Sequence, residues 1–299
     1  MNIKELRKLK VGKVIENVCM SKNTTYRAGG ICKLMVLPRN KECLIKLIKY
    51  LKNKNIEYKI IGNGSNLLFS DNIYNGVLIR LDKIDNYKIE DTIIKAEAGC
   101  DLLTIAYKSA DAGLTGLEFA TGIPGTIGGA IYMNAGAYKS DMGYVVSEVE
   151  VLTPELEVST LYNKDLDFHY RSSFLQKNKD YICLEATIVL KKGNKKVIKD
   201  IIAERRKKRL MTQPLNFPSA GSVFRNPPDD FAGRLIEECN LKGYKIGDAM
   251  VSEKHANFIV NIGKATGKDI HDLILYVKSE VYKKFKIDLL IEQEFVNWE

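Results

Sequence analysis

The sequence predicts a mixed protein of helices and strands, built as about two domains, and three observations carry that expectation. The chain has 299 residues, against about 150 residues per domain. Apolar residues recur at helical spacing in some stretches and at strand spacing in others along the whole chain. The composition, 45% hydrophobic and 28% charged, is that of a folded protein rather than a disordered or fibrous one.

Taken in order, Leu44, Leu47, Ile48 and Leu51 mark one face of a helix. Tyr58-Lys59-Ile60-Ile61 is then an apolar run that ends in glycine, which predicts a strand entering a glycine loop. Short strands are expected at Gly76–Leu81 and Thr92–Ala98, followed by a helix from Asp101 to near Ala112. The stretch Gly113–Tyr138 is rich in glycine, poor in charge and too full of turns for one helix. Strands come next at Val145–Leu152 and Leu184–Leu190, with a turn at Thr153-Pro154-Glu155.

Composition changes near Asn194. Val197, Ile198, Ile201 and Ile202 mark a helix that ends in Arg205-Arg206-Lys207-Lys208-Arg209, a basic run that complements the helix dipole. The main boundary is expected at residues 200–210. Pro214, Pro218, Pro227 and Pro228 punctuate a loop-rich segment, and a compact α/β unit comes after it. Its expected parts are a helix near Phe231–Cys239, a strand Asn257–Asn261, a helix Gly267–Phe285 and a closing strand Ile287–Val296. Ile270, Leu273, Ile274, Val277 and Val281 form the apolar face of the long helix, and Thr266 with Asp269 its capping box.

The net charge is +9, a balance that suits nucleic acid, an anionic membrane or small anionic ligands. Ribonucleoprotein motifs, zinc-finger spacing and a basic zipper are absent from the sequence, so nucleic acid is not expected as a partner. Cys19, Cys32, Cys43, Cys100, Cys183 and Cys239 include no Cys-x-x-Cys pair, and scattered cysteines of this kind are small buried hydrophobes of a reducing compartment. With only His169, His255 and His271 besides, no metal site is expected. No apolar run approaches the ~20 residues of a membrane helix, and nothing resembles a signal peptide. A cytoplasmic protein without membrane insertion is expected.

Two glycine-rich motifs carry the chemistry. In Gly62-Asn63-Gly64-Ser65-Asn66 a strand runs into small polar residues, and such a loop groups backbone N–H donors that suit phosphate oxygens. It lacks the third glycine of the dinucleotide fingerprint; a tight turn is the plainer alternative. The second motif, Gly116-Leu117-Glu118-Phe119-Ala120-Thr121-Gly122-Ile123-Pro124-Gly125-Thr126-Ile127-Gly128-Gly129-Ala130, runs on to Asn134-Ala135-Gly136-Ala137-Tyr138. It removes side chains where something flat and large lies against backbone. Together the motifs suggest a diphosphate joined to a planar ring system.

These motifs stand in one order with Asn23-Thr24-Thr25-Tyr26-Arg27, Tyr170-Arg171-Ser172-Ser173, Pro218-Ser219-Ala220-Gly221-Ser222-Val223-Phe224 and the C-terminal stretch Ala232–Asn261. In that order the chain closely resembles the UDP-N-acetylenolpyruvoylglucosamine reductases, from about Val18 to Val296. The resemblance implies an α+β fold: a two-lobed FAD-binding module of the vanillyl-alcohol-oxidase type, residues 1–80 and 81–204, and a C-terminal α/β substrate-binding domain, residues 205–299. The short C-terminal domain resembles the type that lacks a tyrosine-bearing insertion. It implies FAD as cofactor, NADPH as co-substrate and UDP-N-acetylglucosamine enolpyruvate as substrate.

By match to the family's motifs, Gly62, Asn63, Gly64, Ser65 and Asn66 line the FAD diphosphate, and Gly122, Ile123, Gly125, Thr126 and Gly128 pass close to the flavin and its phosphates. The catalytic residues fall on Arg171, Ser222 and Glu292. The family reads Glu, hydrophobic, polar in the last strand, whereas this chain has Glu292-Gln293-Glu294; Glu294 shares the strand parity of Glu292. The chemistry suits these residue types. Hydride added to the enolpyruvyl double bond leaves negative charge on the carbon bearing the carboxylate, which an arginine can stabilise. A hydroxyl then delivers the proton. A surface ion pair for Arg171, a turn serine for Ser222 and a solvated strand residue for Glu292 are the structural alternatives. Lys242, Lys245, Lys254 and Arg225 are candidates for the phosphates, Tyr170 and Asn226 for substrate contact, and His255 is expected to be packed rather than a base. Two other readings remain open: an FAD-dependent oxidoreductase of the same fold acting on another alcohol or sugar, and a non-catalytic nucleotide-binding or basic interaction module.

Overall fold

The computed structural model describes residues 3–298. The chain divides into two compact units. The first comprises Met1–Ile15, Leu34–Gly62 and Gly76–Lys208; the second comprises Glu16–Lys33, Asn63–Asn75 and Arg209–Glu299.

The first unit is built on two sheets. In a four-stranded sheet the order is Gly12–Cys19, Ile31–Pro38, Tyr74–Arg80 and Tyr58–Ile61, the last two being parallel in the register Tyr58↔Val77 to Ile61↔Arg80. The helix Lys41–Asn53 starts where the Asn40 side chain accepts the Cys43 amide, a cap of the kind that begins helices. Its expected face, Leu44, Leu47, Ile48 and Leu51, is fully buried with Val77 and Ile79 in one core. The second sheet is antiparallel, in the order Val158–Tyr162, Val146–Leu152, Ile182–Val189, Ile93–Glu97 and Tyr87–Glu90. In it Glu150 stands directly opposite Glu185, a like-charge pair that destabilises a sheet. Lys41 resolves the conflict, with Nζ 2.8 Å from Glu150 and 2.9 Å from Glu185. Burial works to lower the Lys41 pKa, and its bonds to the two carboxylates outweigh that and raise it.

As its turn content requires, residues 113–138 break up. They hold a short strand Leu114–Thr115, a 3₁₀ turn Glu118–Gly122, the helix Ile127–Tyr132 and the first strand of a hairpin, Gly136–Ala137 against Ser140–Asp141.

The second unit has its own core, in which Tyr26, Ala28 and Leu68 pack with Phe224, Leu235, Leu273 and Val277. The helix Gly267–Phe285 spans the expected residues, with the Thr266–Asp269 capping box formed. Asp71 adds to it, accepting the amides of Gly267 at 2.8 Å and Lys268 at 2.9 Å, so first-turn donors that a helix leaves unpaired are satisfied. Leu67–Phe69 pairs in parallel with Glu294–Val296. Lys245–Ile246, Ala249–Val251 and Ile259–Asn261 form a small antiparallel sheet.

Three expectations need correction. The closing strand is Glu294–Val296 rather than 287–296; Ile291 makes only an isolated bridge to Phe224, and the chain bends at Gln293. The bend arises because Gln293 turns its amide inward, where it is 5% exposed. The shared-face argument for Glu292 and Glu294 therefore fails. The helix expected to end in the basic run continues through it, spanning Lys195–Thr212, and stops just before Pro214, a residue that biases its predecessor away from helix. The strand expected at 257–261 is shorter, Ile259–Asn261, because Asn257 uses its side chain to grip Phe224, accepting its amide and donating to its carbonyl.

Candidate active site

Within the second unit, two sequence-remote segments zip together around Ser222 and Glu292. The Glu292 amide donates to the Val223 carbonyl at 2.8 Å, the Arg225 amide to Leu290 at 2.9 Å, and the Val223 amide to Asn257 at 2.9 Å. Gly221 lies at φ +76°, in the left-handed region that glycine enters at no steric cost. It turns the chain so that Ser222 comes at once after it. Ser222 and Glu292 are both partly exposed. The Ser222 carbonyl, rather than its hydroxyl, takes the Gln293 amide at 3.4 Å.

The same segment meets the first glycine motif. Asn66 donates its side-chain amide to the Glu292 carbonyl at 3.1 Å, and its own carbonyl accepts the Glu294 amide at 2.9 Å. Both glutamates are thus bonded through their backbone to Asn66 of the glycine loop, and Glu292 is bonded also to Val223, the neighbour of Ser222.

The glycine loops are held by close approach to other parts of the chain. In the first unit a Cβ on Gly62 would sit 2.7 Å from the Thr126 hydroxyl oxygen, so only glycine lets the end of the strand Tyr58–Ile61 abut the second motif. In the second unit Gly64 has φ +65°, and a Cβ there would sit 2.6 Å from the Asn23 carbonyl oxygen. Thr25 donates its amide to the Gly64 carbonyl at 3.3 Å. Not every loop amide faces outward. Ile123 N–H is bonded to Ala120 and Gly128 N–H to Ala98, both at 2.9 Å, so at those positions a cofactor would meet other atoms. Thr126 caps the helix Ile127–Tyr132 by accepting the Gly129 amide at 3.2 Å.

Arg171, in the first unit, sits in a tight turn closed by reciprocal bonds between His169 and Ser172, with φ +55°. Its guanidinium donates to the Gly136 carbonyl at 2.8 Å and lies over the Tyr170 ring, 5.0 Å from its centre. Asn134 underpins the turn. Its amide donates to the His169 carbonyl at 2.8 Å, and its oxygen accepts the Gly143 amide at 3.0 Å. Sequence reasoning did not single out Asn134; its signal was an asparagine among glycines in the second motif, and in the structure it takes φ +42°.

The basic candidates divide. Lys242 pairs with Glu237 at 2.6 Å, and Lys254 donates to the Leu210 carbonyl at 2.6 Å. Arg225 keeps a buried Nε that none of the described residues bonds, as a group awaiting an anionic ligand would. His255 is packed as expected. It lies edge-on to Phe258 and accepts the Asn257 amide at 3.2 Å, and burial holds its pKa below the usual histidine value. The Asn226 oxygen accepts the Ala232 amide at 3.1 Å.

Comparison with known proteins gives the family. A model of the FAD binding domain matches residues 32–161, and one of the UDP-N-acetylenolpyruvoylglucosamine reductase C-terminal domain matches residues 213–296. The UDP-N-acetylenolpyruvoylglucosamine reductase of Anoxybacillus flavithermus is 44% identical over 98% of this chain and 97% of its own length. That of Bacillus subtilis is 40% identical over 98% and 97%. The crystal structure of the reductase from Thermus caldophilus superposes with a TM-score of 0.80 at 34% identity, covering 95% of this chain and 98% of that one. The fold class is α+β, with an FAD binding domain followed along the chain by the C-terminal domain of the reductases. With nearly full-length relatives at this identity, the chain belongs to the UDP-N-acetylenolpyruvoylglucosamine reductase family.

Proposed function

We propose that this chain reduces the enolpyruvyl ether of UDP-N-acetylglucosamine enolpyruvate to UDP-N-acetylmuramate, a step of peptidoglycan precursor synthesis, as an FAD enzyme with NADPH as co-substrate. The observation that carries the reading is the pairing of the Ser222 segment with the Glu292 segment, through the Glu292 amide and Val223 carbonyl at 2.8 Å. Bound FAD supplies the carriage of hydride from NADPH to the enolpyruvyl double bond. Gly62, Asn63, Gly64, Ser65 and Asn66 would hold its diphosphate, and Gly122, Ile123, Gly125, Thr126 and Gly128 would line the rest of its site.

The protein's own residues supply the remainder. Arg171 grips the substrate carboxylate and stabilises the negative charge that develops beside it. Ser222 gives its proton to the carbon that bears the carboxylate, and solvent returns that proton to the serine. A serine hydroxyl is a poor acid, and Glu292, in the segment paired with it, assists the transfer. The Arg225 guanidinium, with its unbonded Nε, meets the substrate diphosphate. Residues 1–80 and 81–204 form the two lobes of the FAD module and residues 205–299 the substrate domain. Among the described residues no helix is long and apolar enough to cross a membrane, and the enzyme works in the cytoplasm.

Stopped-flow measurement of Ser222→Ala tests the assignment, because the two half-reactions separate. Reduction by NADPH should keep its wild-type rate. Reoxidation by the enolpyruvyl sugar nucleotide should slow on the order of 10²–10⁴-fold, the usual contribution of a positioned general acid. Equal slowing of both halves, or reoxidation at the wild-type rate, would overturn the role of Ser222.

A further inference from the structure

Gln293 stands between two glutamates, at the bend that interrupts the expected closing strand, yet it is 5% exposed and Tyr26 is 0% exposed. A glutamine so deeply buried must have its amide satisfied, and the partners are specific. The Tyr26 hydroxyl donates to Gln293 Oε1 at 2.9 Å. Gln293 Nε2 donates to the Ala220 carbonyl at 3.2 Å and the Ser222 carbonyl at 3.4 Å. Both carbonyls belong to the turn that presents the Ser222 hydroxyl, and the backbone on either side of Gly221 is held from one side chain.

The chain on both sides of this link is also fixed. Tyr26 gives its carbonyl to Asn261 Nδ2 at 3.0 Å. The residue before it, Thr25, donates to the Gly64 carbonyl in the first glycine loop. Residue 292, next to Gln293, is bonded through its carbonyl to Asn66 of the same loop. The glycine loop, Tyr26, Gln293 and the Ser222 turn therefore form one continuous hydrogen-bonded path inside the second unit.

We infer that Gln293, held by Tyr26, is a positioning residue that sets the Ser222 turn for proton delivery. This rests on the proposed role of Ser222. Gln293 does not touch the reacting atoms; it fixes the height of the turn, and a misplacement of about 1 Å in such a group costs on the order of a hundredfold in rate. Gly221 adds nothing to hold the turn, since a Cβ there would meet nothing within 4 Å. Asn257 grips Phe224 two residues further on, and Gln293 takes the carbonyls of Ala220 and Ser222 on either side of Gly221.

The test is a double-mutant cycle on the purified flavoprotein, with flavin content, melting temperature and the two half-reactions measured for each variant. Gln293→Leu should keep its flavin and the rate of reduction by NADPH, and slow reoxidation by the sugar nucleotide on the order of ten- to a hundredfold. Combined with Ser222→Ala, it should slow reoxidation no further, because a brace for an absent hydroxyl has nothing to position. Tyr26→Phe removes one hydroxyl only, is expected to fold, and should give a smaller loss in the same half-reaction. Wild-type reoxidation in Gln293→Leu or in Tyr26→Phe, or losses that multiply with Ser222→Ala, would overturn the inference alone. Should Gln293→Leu fail to fold, Tyr26→Phe decides by the same criteria. Wild-type reoxidation in Ser222→Ala overturns the reading of Ser222 and this inference together.

Discussion

Arg171 adopts a left-handed backbone, φ +55°, that costs a residue with a Cβ about 1–2 kcal/mol. Strain of this kind concentrates where function needs a side chain aimed from a tight turn, and the Asn134 bonds are what hold it. Arg171→Lys keeps the charge but loses the planar fork. We expect kcat/KM for the sugar nucleotide to fall on the order of a hundredfold with flavin content unchanged; wild-type activity at all substrate concentrations would make Arg171 structural. Cysteines separate at the same scale. The Ser21 hydroxyl, 3.0 Å away, lowers the Cys19 pKa against the opposing effect of burial, whereas burial pushes Cys100 and Cys183 up to about 12. A larger thiolate fraction at pH 8 means faster alkylation. Iodoacetamide should label Cys19 ahead of Cys100 and Cys183 in native protein, read by peptide mass spectrometry; labelling of the two buried thiols first would refute the burial argument.

Among the elements, the helix Gly267–Phe285 is legible to its ends because its cap and its apolar period agree. The strand Gly12–Cys19 is not, since only Val18 of it is buried and its Lys13, Glu16 and Asn17 mask any alternation. The closing strand reads too long for the opposite reason: a run of apolar residues continues to Ile291 while the chain bends at Gln293 to satisfy a buried amide. The segments around Ser222 and Glu292 are legible as motifs, but the bonds that join them are long-range and leave no local trace. Lys41, at the start of the helix Lys41–Asn53, links that helix to the facing pair Glu150 and Glu185. Lys41→Met should destabilise the protein by about 1–3 kcal/mol, and adding Glu185→Gln should recover part of that by removing one of the two like charges. Chemical denaturation checks both; equal stability of all three proteins would show the link to be inert. Because the folded-state pKa of Lys41 is raised, its contribution is present below the ordinary lysine value and is lost only as pH climbs through the folded one. The link should therefore weaken only in strongly alkaline solution.

At the scale of the molecule, the sequence points to a boundary near 205, and a linear reading makes the segment beyond that boundary a free-standing piece. The core of the second unit draws on segments from before that boundary as well. Tyr26, Ala28 and Leu68 are fully packed members of it, and Leu67–Phe69 is the partner of Glu294–Val296. A fragment of residues 205–299 lacks all of them, and we expect it not to fold alone. Poor dispersion in its NMR spectrum and little protection from amide exchange would agree; a cooperative melt of the fragment would not. Interleaving of this kind is invisible to composition and periodicity, which see neighbours along the chain and not partners across it.

The parallel pair of Leu67–Phe69 with Glu294–Val296 also sets a schedule during synthesis. Residue 67 leaves the ribosome long before residue 294 is made. At about 5–20 residues per second the wait is on the order of ten to forty seconds. Through that interval the short edge Leu67-Leu68-Phe69 has no strand to complete it, and an unpaired apolar edge is the usual point of wrong pairing between nascent chains. Its brevity, three residues bounded by Asn66 on one side and Ser70-Asp71 on the other, limits what a stray strand can grip until the last segment of the chain emerges.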